Sequence, residues 1–296
     1  MTNLLPATKE RTSVTAESKP LPGSLLAYLA LTRLYTVVPL ALLSYGIGIA
    51  RGVSRGHVIA AAAAIACALA GGYAYNDLRD QVTDRLNRPA RPLVSGQLSR
   101  GEVQRFIALL FGAAALLAIS TASLRTMTFI ILLVLSSQLY SDAIKYIVGL
   151  KNMFVGLWCG LLPWGASLDN VVVTDLAAMA LVAIFVTQKE LIADIYDRDG
   201  DAAAGIRTIP VTIGPRAALA LVVALNVLLC VPVRSAGDVL ILPHLGSTAQ
   251  MVAIVNMLVL CVVLLNTTHK TVRIYLDLQK VFMIGGCIGL FVMASA

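Results

Sequence analysis

The sequence predicts an all-α, polytopic membrane protein. Hydrophobic residues make up 58% of the 296 residues and charged residues only 13%, whereas soluble domains are about 25% charged. The hydrophobic residues are collected in nine stretches, each long enough to cross a bilayer as a helix. Basic residues are concentrated in alternate connections between these stretches, as expected when those connections face the cytoplasm.

Residues 1–22 differ from the rest of the chain because they are polar and contain Pro6, Pro20 and Pro22. They lack the apolar core of a signal peptide, so we predict a disordered cytoplasmic tail. Residues 23–296 are then predicted to form one domain of nine transmembrane helices around a central cavity. The predicted spans, in order, are residues 25–50, 57–77, 103–121, 126–141, 153–168, 173–193, 217–233, 249–266 and 277–296.

The distribution of lysine and arginine sets the orientation of these spans. Arg33 lies inside the first span, and only Arg51, Arg55, Arg125 and Arg234 fall on the side opposite the N-terminus. The net charge of +7 is therefore read as an orientation signal and not as a sign of nucleic-acid binding. The N-terminal side, predicted to be cytoplasmic, carries Lys9, Arg11, Lys19, Arg79, Arg85, Arg88, Arg91, Arg100, Arg105, Lys145, Lys151, Lys189, Arg198, Arg207, Arg216, Lys270, Arg273 and Lys280.

A first acidic group follows the second span. Asn76, Asp80 and Asp84 are spaced i, i+4 and i+8, so they lie on one face if the segment is helical. Asp77 is adjacent to this face. Stacked carboxylates repel one another unless a cation lies among them, so the group predicts a metal site. A basic segment broken by prolines comes next, with Arg85, Arg88, Pro89, Arg91 and Pro92.

A second acidic group follows the sixth span, on the same predicted side of the membrane. It contains Asp194, Asp197, Asp199 and Asp201, of which Asp197 and Asp201 are spaced i, i+4. Arg207 and Pro210 follow it, as an arginine and a proline follow the first group. The two groups are four spans apart, which indicates a weak internal repeat of a four-helix unit.

Two carboxylate groups at one membrane edge favour Mg²⁺, which is commonly held by a few carboxylates together with substrate phosphates. Such ions could chelate a diphosphate whose hydrocarbon chain lies among the helices, and so assist breakage of an allylic C–O bond. Zinc chemistry is disfavoured because His57, His244 and His269 lie outside both groups. The five cysteines are scattered in apolar stretches without a CxxC pattern, so they indicate buried hydrophobic positions.

The two motifs resemble those of the UbiA-type intramembrane prenyltransferase superfamily. Asn76-Asp77-x-x-Asp80-x-x-x-Asp84 with Arg91-Pro92-Leu93-x-Ser95-Gly96 is similar to the first signature. Asp194-x-x-Asp197-x-Asp199-Gly200-Asp201 with Gly205, Thr208 and Pro210 is similar to the second. Tyr140, Ser141 and Lys145, followed by Lys151 and Asn152, resemble the family's tyrosine–lysine loop. The resemblance covers nearly the whole chain after residue 22.

The resemblance implies a helical bundle with a central cavity, two Mg²⁺ ions and a polyprenyl diphosphate donor. The residues expected to bind metal are Asn76, Asp77, Asp80, Asp84, Asp194, Asp197 and Asp201. Those expected to be catalytic are Asp80, Asp84, Asp197, Asp201 and Lys145. Those expected to bind substrate are Asn76, Arg88, Arg91, Tyr140, Lys145, Glu190 and Arg207.

Several residues leave alternatives open. Glu190 is one turn before Asp194, where it could act as a base in the cavity or pair with Lys189 or Arg33. Asp199 could face solvent or pair with Arg198. Asp142, with Ile144, stands where many members of the superfamily have a proline-rich pattern, and it could neutralise Lys145 or help to bind metal.

Three classes of function follow from these observations. The first is Mg²⁺-dependent transfer of a prenyl group, through an allylic carbocation, to an aromatic or other nucleophilic small-molecule acceptor. The second is a terpene cyclase in which the carbocation is quenched by its own double bonds. The third is a divalent-cation or organic-anion transporter, which is disfavoured because no acidic residues continue through the helices towards the other face. Donor length, acceptor, regiochemistry and oligomeric state are open at this stage.

Overall fold

The computed structural model describes residues 25–171, 173–230, 271–279 and 281. Within these ranges the chain is helical and contains no strand, so the predicted all-α class is confirmed. The predicted tail, the eighth span and most of the ninth span lie outside the described residues. The helices are α1 (Leu25–Thr32), α2 (Leu34–Ala50), α3 (Arg55–Arg79), α4 (Gln81–Asn87), α5 (Arg100–Ser120), α6 (Leu124–Asp142), α7 (Leu150–Leu161), α8 (Val173–Ala203), α9 (Ile209–Ile213) and α10 (Pro215–Cys230).

Among the described helices, three are long and apolar enough to cross a membrane, namely α3, α5 and α6. The bent pair α1–α2 is a fourth candidate when it is taken as one span, and α10 is a shorter apolar helix. Large apolar side chains such as Leu109 and Leu116 of α5 and Leu132 of α6 are exposed on the outside of the bundle. A lipid environment explains this exposure, because a soluble protein rarely leaves so large an apolar surface open. The count of nine spans stays a prediction.

The first predicted span, residues 25–50, is wrong as a single helix. Arg33 adopts a left-handed conformation, with φ 49° and ψ 52°, and the two halves are bent by 60°. The guanidinium of Arg33 lies 2.7 Å from Asp77 Oδ1 and 4.6 Å from the centre of the Tyr73 ring. The ion pair and the ring contact with α3 offset the cost of a left-handed residue, which is about 1–2 kcal/mol.

Helix α3 lies at the centre of the described part of the fold, where it packs against α2, α5 and α6. Its small side chains make this possible, since Ala61, Ala64 and Ala68 are completely buried and Gly71 lies directly against Phe111 of α5. Residues 271–279 form a further helix, which packs on α8 and α10 through Val272 and Tyr275.

Helices α7 and α8 also pack closely against each other. A Cβ on Gly156 would lie 2.5 Å from the backbone oxygen of Ala183, and a Cβ on Gly160 would lie 2.5 Å from that of Met179. The two glycines, one turn apart, therefore let α7 touch the backbone of α8. This contact brings the first turn of α7 beside the acidic part of α8.

The helices also differ from prediction at their ends. Helix α8 continues to Ala203, ten residues beyond the predicted span 173–193, so the second acidic group is part of the helix. Helix α7 ends at Leu161 and is followed by a 3-10 turn, Leu162–Trp164, instead of continuing to residue 168. Pro163, inside that turn, cannot donate an α-helical hydrogen bond.

Candidate active site

The two acidic groups meet at one end of the bundle, where α4 lies against the last turns of α8. Arg88 Nη2, just after α4, lies 2.5 Å from Asp197 Oδ2, and its Nη1 lies 4.0 Å from Asp84 Oδ1. Asn87 Nδ2 donates a hydrogen bond of 3.3 Å to Asp201 Oδ1. The Arg88 guanidinium therefore bridges the two acidic groups, and the Asn87 amide joins the end of α4 to the second group.

Gly200 makes this approach possible. A Cβ at this position would lie 2.5 Å from Cγ of Asn87 and still closer to its Oδ1. A side chain at this position would force the Asn87 amide to move, so the glycine leaves room for the hydrogen bond between Asn87 and Asp201. The glycine of the second motif thus has a packing role between the two acidic groups.

The first acidic group spans the junction of α3 and α4. Helix α3 ends at Arg79 and α4 begins at Gln81, so Asp80 lies between the helices. The backbone nonetheless keeps helical spacing, because Asp80 N donates to Asn76 O at 2.9 Å and Asp84 N donates to Asp80 O at 2.8 Å. The expected i, i+4, i+8 arrangement therefore survives the break.

Each carboxylate of the first group is paired with a cation. Arg91 Nη1 lies 2.6 Å from both Asp77 Oδ1 and Asp84 Oδ2, so it joins two buried carboxylates. Asp80 accepts hydrogen bonds from Lys145 Nζ and Asn76 Nδ2. Burial raises the pKa of the Asp84 carboxyl to about 6, although the Arg91 guanidinium lowers it.

Asp194, in the second group, is held by the first turn of α7. Lys151 Nζ donates to its Oδ1 at 2.6 Å, and Asn152 Nδ2 donates to its Oδ2 at 2.9 Å. Neither Lys151 nor Asn152 was among the predicted site residues. The sequence signal for these two residues is their position just after the tyrosine–lysine loop. A single asparagine in an apolar stretch has no diagnostic spacing of its own.

The remaining predicted residues have varied environments. Tyr140 of α6 stacks on Phe154 of α7, with ring centres 6.0 Å apart and planes inclined by 14°. Lys189 Nζ lies 3.0 Å from Glu190 Oε1, which is one of the pairings that the sequence left open. Arg207 is exposed beyond α8, outside the ion-pair network of the described residues.

The structure also shows the partners of Asp142 and Asp199, whose roles the sequence left open. Asp142 lies 2.7 Å from Arg79 Nε and accepts a hydrogen bond of 2.9 Å from the Tyr75 hydroxyl. Its partners are thus on α3, and the acid that binds Lys145 is Asp80. Asp199 is 90% exposed, and within the described residues it pairs with the adjacent Arg198. It therefore both faces solvent and pairs with Arg198, the two alternatives given for it above.

The carboxylate oxygens of this network suit Mg²⁺, which prefers hard oxygen ligands. Within the described residues, no three side chains among Asp, Glu, His and Cys are gathered into a ready-made metal site. The carboxylates are instead paired with arginine and lysine side chains, which supply the positive charge that a metal ion could otherwise provide. One buried acceptor, Asn152 Oδ1, has no hydrogen-bond partner in the described part of the chain.

The apolar spans and the buried charges at one end of the bundle define an α-helical integral membrane protein. Residues 36–284 match the UbiA prenyltransferase family. The chain therefore belongs to the UbiA prenyltransferase family, and it is a membrane prenyltransferase.

Among its relatives is the digeranylgeranylglyceryl phosphate synthase of Methanoculleus marisnigri. The two are 31% identical over 204 residues, which cover 65% of this chain and 70% of the relative. The fold resembles that of a UbiA homologue from Aeropyrum pernix K1, with a TM-score of 0.67, 22% identity and coverage of 87% of this chain and 98% of that one. A UbiA homologue from Archaeoglobus fulgidus bound to GPP and Mg²⁺ gives a TM-score of 0.64, 16% identity and coverage of 90% and 99%.

Proposed function

We propose that this prenyltransferase transfers an isoprenyl group from its diphosphate to a nucleophilic small-molecule acceptor in a Mg²⁺-dependent reaction. The observation that carries the proposal is the meeting of the two carboxylate groups, bridged by Arg88 and Asn87 at one end of the bundle. The binding of GPP and Mg²⁺ by a protein of the same fold supports the donor and the metal.

The residues proposed to hold Mg²⁺ are Asn76, Asp77, Asp80, Asp84, Asp194, Asp197 and Asp201. Mg²⁺ bound to the diphosphate would neutralise the charge that develops as it leaves. Lys145, Arg88 and Arg91 are paired with carboxylates of this network. Each can donate to diphosphate oxygens once the carboxylates have another cation, and Arg207 is proposed to add a further contact from beyond α8.

The bond that breaks joins the diphosphate oxygen to the allylic carbon, and its electron pair leaves with the diphosphate. The stacked rings of Tyr140 and Phe154 can stabilise the resulting carbocation by cation–π contact. The acceptor then forms the new bond to this carbon and passes its proton to a base, for which we propose the Glu190 carboxylate. Glu190 lies one turn before Asp194 on the same face of α8. We therefore propose that its carboxylate contacts the acceptor.

The proposal is tested with the purified full-length protein, an isotopically labelled allylic diphosphate and a panel of acceptors. The panel includes glycerol phosphate lipids with a free hydroxyl, suggested by the name of the related synthases, and aromatic alcohols. We expect a prenylated acceptor only with Mg²⁺, and we expect losses of about a hundredfold or more in Asp80→Ala and Asp197→Ala. Product mass spectrometry identifies the acceptor.

Asp199→Ala is the matched control, because this carboxylate is exposed and, in the described part of the chain, pairs only with the adjacent Arg198. It should retain wild-type turnover. Turnover without any divalent cation, or full activity in Asp80→Ala and Asp197→Ala, would contradict the proposal. A cyclic hydrocarbon formed from donor alone would instead identify a terpene cyclase.

A further inference from the structure

Asp80 and Asp194 have the same kinds of partner, although they belong to different acidic groups. Each carboxylate accepts one hydrogen bond from a lysine Nζ at its Oδ1 and one from an asparagine Nδ2 at its Oδ2. The lysines are Lys145 and Lys151, six residues apart at the connection between α6 and α7. The asparagine of the first set, Asn76, is a proposed metal ligand, whereas that of the second, Asn152, has no assigned role.

Asn152 has an unsatisfied buried oxygen. The residue is 2% exposed, its Nδ2 binds Asp194, and its Oδ1 has no hydrogen-bond partner within the described residues. The amide cannot be turned over, because its oxygen would then face a carboxylate that only accepts hydrogen bonds. A buried acceptor without a partner costs about 1–3 kcal/mol. This oxygen is therefore available to bind a hydrogen-bond donor or a cation.

The neighbours of this oxygen favour a cation. Asp194 is adjacent, and an amide oxygen beside a carboxylate is a common ligand pair for hard divalent ions. The position is also rigid, because Gly156, one turn along α7, touches the backbone of α8. Binding to this oxygen would therefore need little rearrangement of the backbone.

We infer that Asn152 Oδ1 is a ligand of a divalent cation bound at Asp194, and that Lys151 is the side chain this cation displaces. The inference rests on the proposed function and adds to it a ligand and a second lysine. Lys151, once released from Asp194, is available to bind diphosphate, as Lys145 is when a cation takes Asp80. The donor head is thus held by two lysines from one connection.

The test measures Mn²⁺ binding by electron paramagnetic resonance on full-length protein in nanodiscs, without donor, so that it does not depend on turnover. We expect Asn152→Ala to weaken binding at one site by about tenfold or more. Asn152→Asp should bind at least as tightly as wild type, because it keeps an oxygen ligand. Lys151→Met should bind about fivefold more tightly, since a competing cation is removed.

The variants separate a ligand from a residue that only positions Asp194. If Asn152 merely donates to Asp194, Asn152→Asp loses the donor, adds a like charge and binds as weakly as Asn152→Ala, which would overturn the inference. Unchanged affinity in Asn152→Ala or weaker binding in Lys151→Met would also overturn it. Asn170→Ala, at a polar contact with the Arg51 backbone, is the control and should bind like wild type.

Failure of the inference can be told apart from failure of the proposed function. A wild-type protein that binds no Mn²⁺ and turns over in the presence of a chelator contradicts the proposed function itself. A wild-type protein that binds Mn²⁺ and needs it for turnover, together with unchanged binding in Asn152→Ala, contradicts only the role of Asn152.

Discussion

Gly200 is the single residue on which the meeting of the two acidic groups depends most directly. We predict that Gly200→Ala lowers kcat/KM by about tenfold to a hundredfold, because the added methyl group would displace the Asn87 amide from Asp201. The thermal stability should be unchanged or higher, since alanine is favoured over glycine within a helix by about 1 kcal/mol. Steady-state kinetics and a thermal melt on the same preparation measure the two effects.

Two variants control for the substitution itself. Gly112→Ala adds the same methyl group to α5, where no atom lies within 4 Å, and should behave like wild type. In an Asn87→Ala background the obstruction is gone, so Gly200→Ala should have little further effect. Equal losses from Gly200→Ala in both backgrounds would show that the contact with Asn87 is not the cause.

The sequence predicted some residues of the site and missed others for identifiable reasons. Asp80 and Asp84 could be found because carboxylates at helical spacing need a cation wherever the fold places them. Lys145 was found by its resemblance to a family loop. Asn152 follows that loop in the sequence, but its contact with Asp194 and its unsatisfied oxygen are seen only once α7 packs on α8. Spacing along one segment carries no information of that kind.

At the scale of elements, the α7–α8 pair positions the second acidic group. We predict that Gly156→Ala lowers both stability and activity, because its methyl group would meet the backbone oxygen of Ala183 and move α7 outward. Lys151 and Asn152 would then lose contact with Asp194. The expected cost is about 1–3 kcal/mol in stability, seen as a lower melting temperature together with weaker binding of Mn²⁺.

The same control, Gly112→Ala, applies here, and it distinguishes crowding from a general effect of alanine on helices. A Gly156→Ala protein that melts normally and binds Mn²⁺ normally would show that α7 is not what positions Asp194. Loss of stability with normal Mn²⁺ binding would likewise show that the α7–α8 contact does not control metal binding at the site.

Element boundaries were harder to predict than the elements themselves. The apolar stretches gave α3, α5 and α6 within a few residues, because hydrophobic length governs a transmembrane helix. The same criterion ended the sixth span where charges begin. Helix α8 nonetheless continues to Ala203, and its aspartates pair with Arg88, just after α4, and with Lys151 of α7. The bend at Arg33 depends on Asp77, a partner from another helix, and no local pattern announces it.

On the scale of the whole molecule, the two ends of the bundle have different chemistry. The end formed by α4 and the last turns of α8 carries the acidic groups and their cations. At the other end, Arg51, which follows α2, lies 2.5 Å from Asp175 near the start of α8. Helix α3 runs between the two ends, over about 37 Å at 1.5 Å per residue. This polarity lets the orientation be tested with one position at each end.

We predict that the acidic end faces the cytoplasm, because lysine and arginine are concentrated in the connections on that side. Ala90→Cys, exposed between α4 and α5, and Ser54→Cys, exposed before α3, are introduced into a variant whose native cysteines are replaced. A membrane-impermeant maleimide should label Ser54→Cys in intact cells and Ala90→Cys only after permeabilisation. Labelling of Ala90→Cys in intact cells would place the acidic end outside. Retained activity of the cysteine-free parent shows that the fold is intact, so either labelling pattern reports orientation and not misfolding.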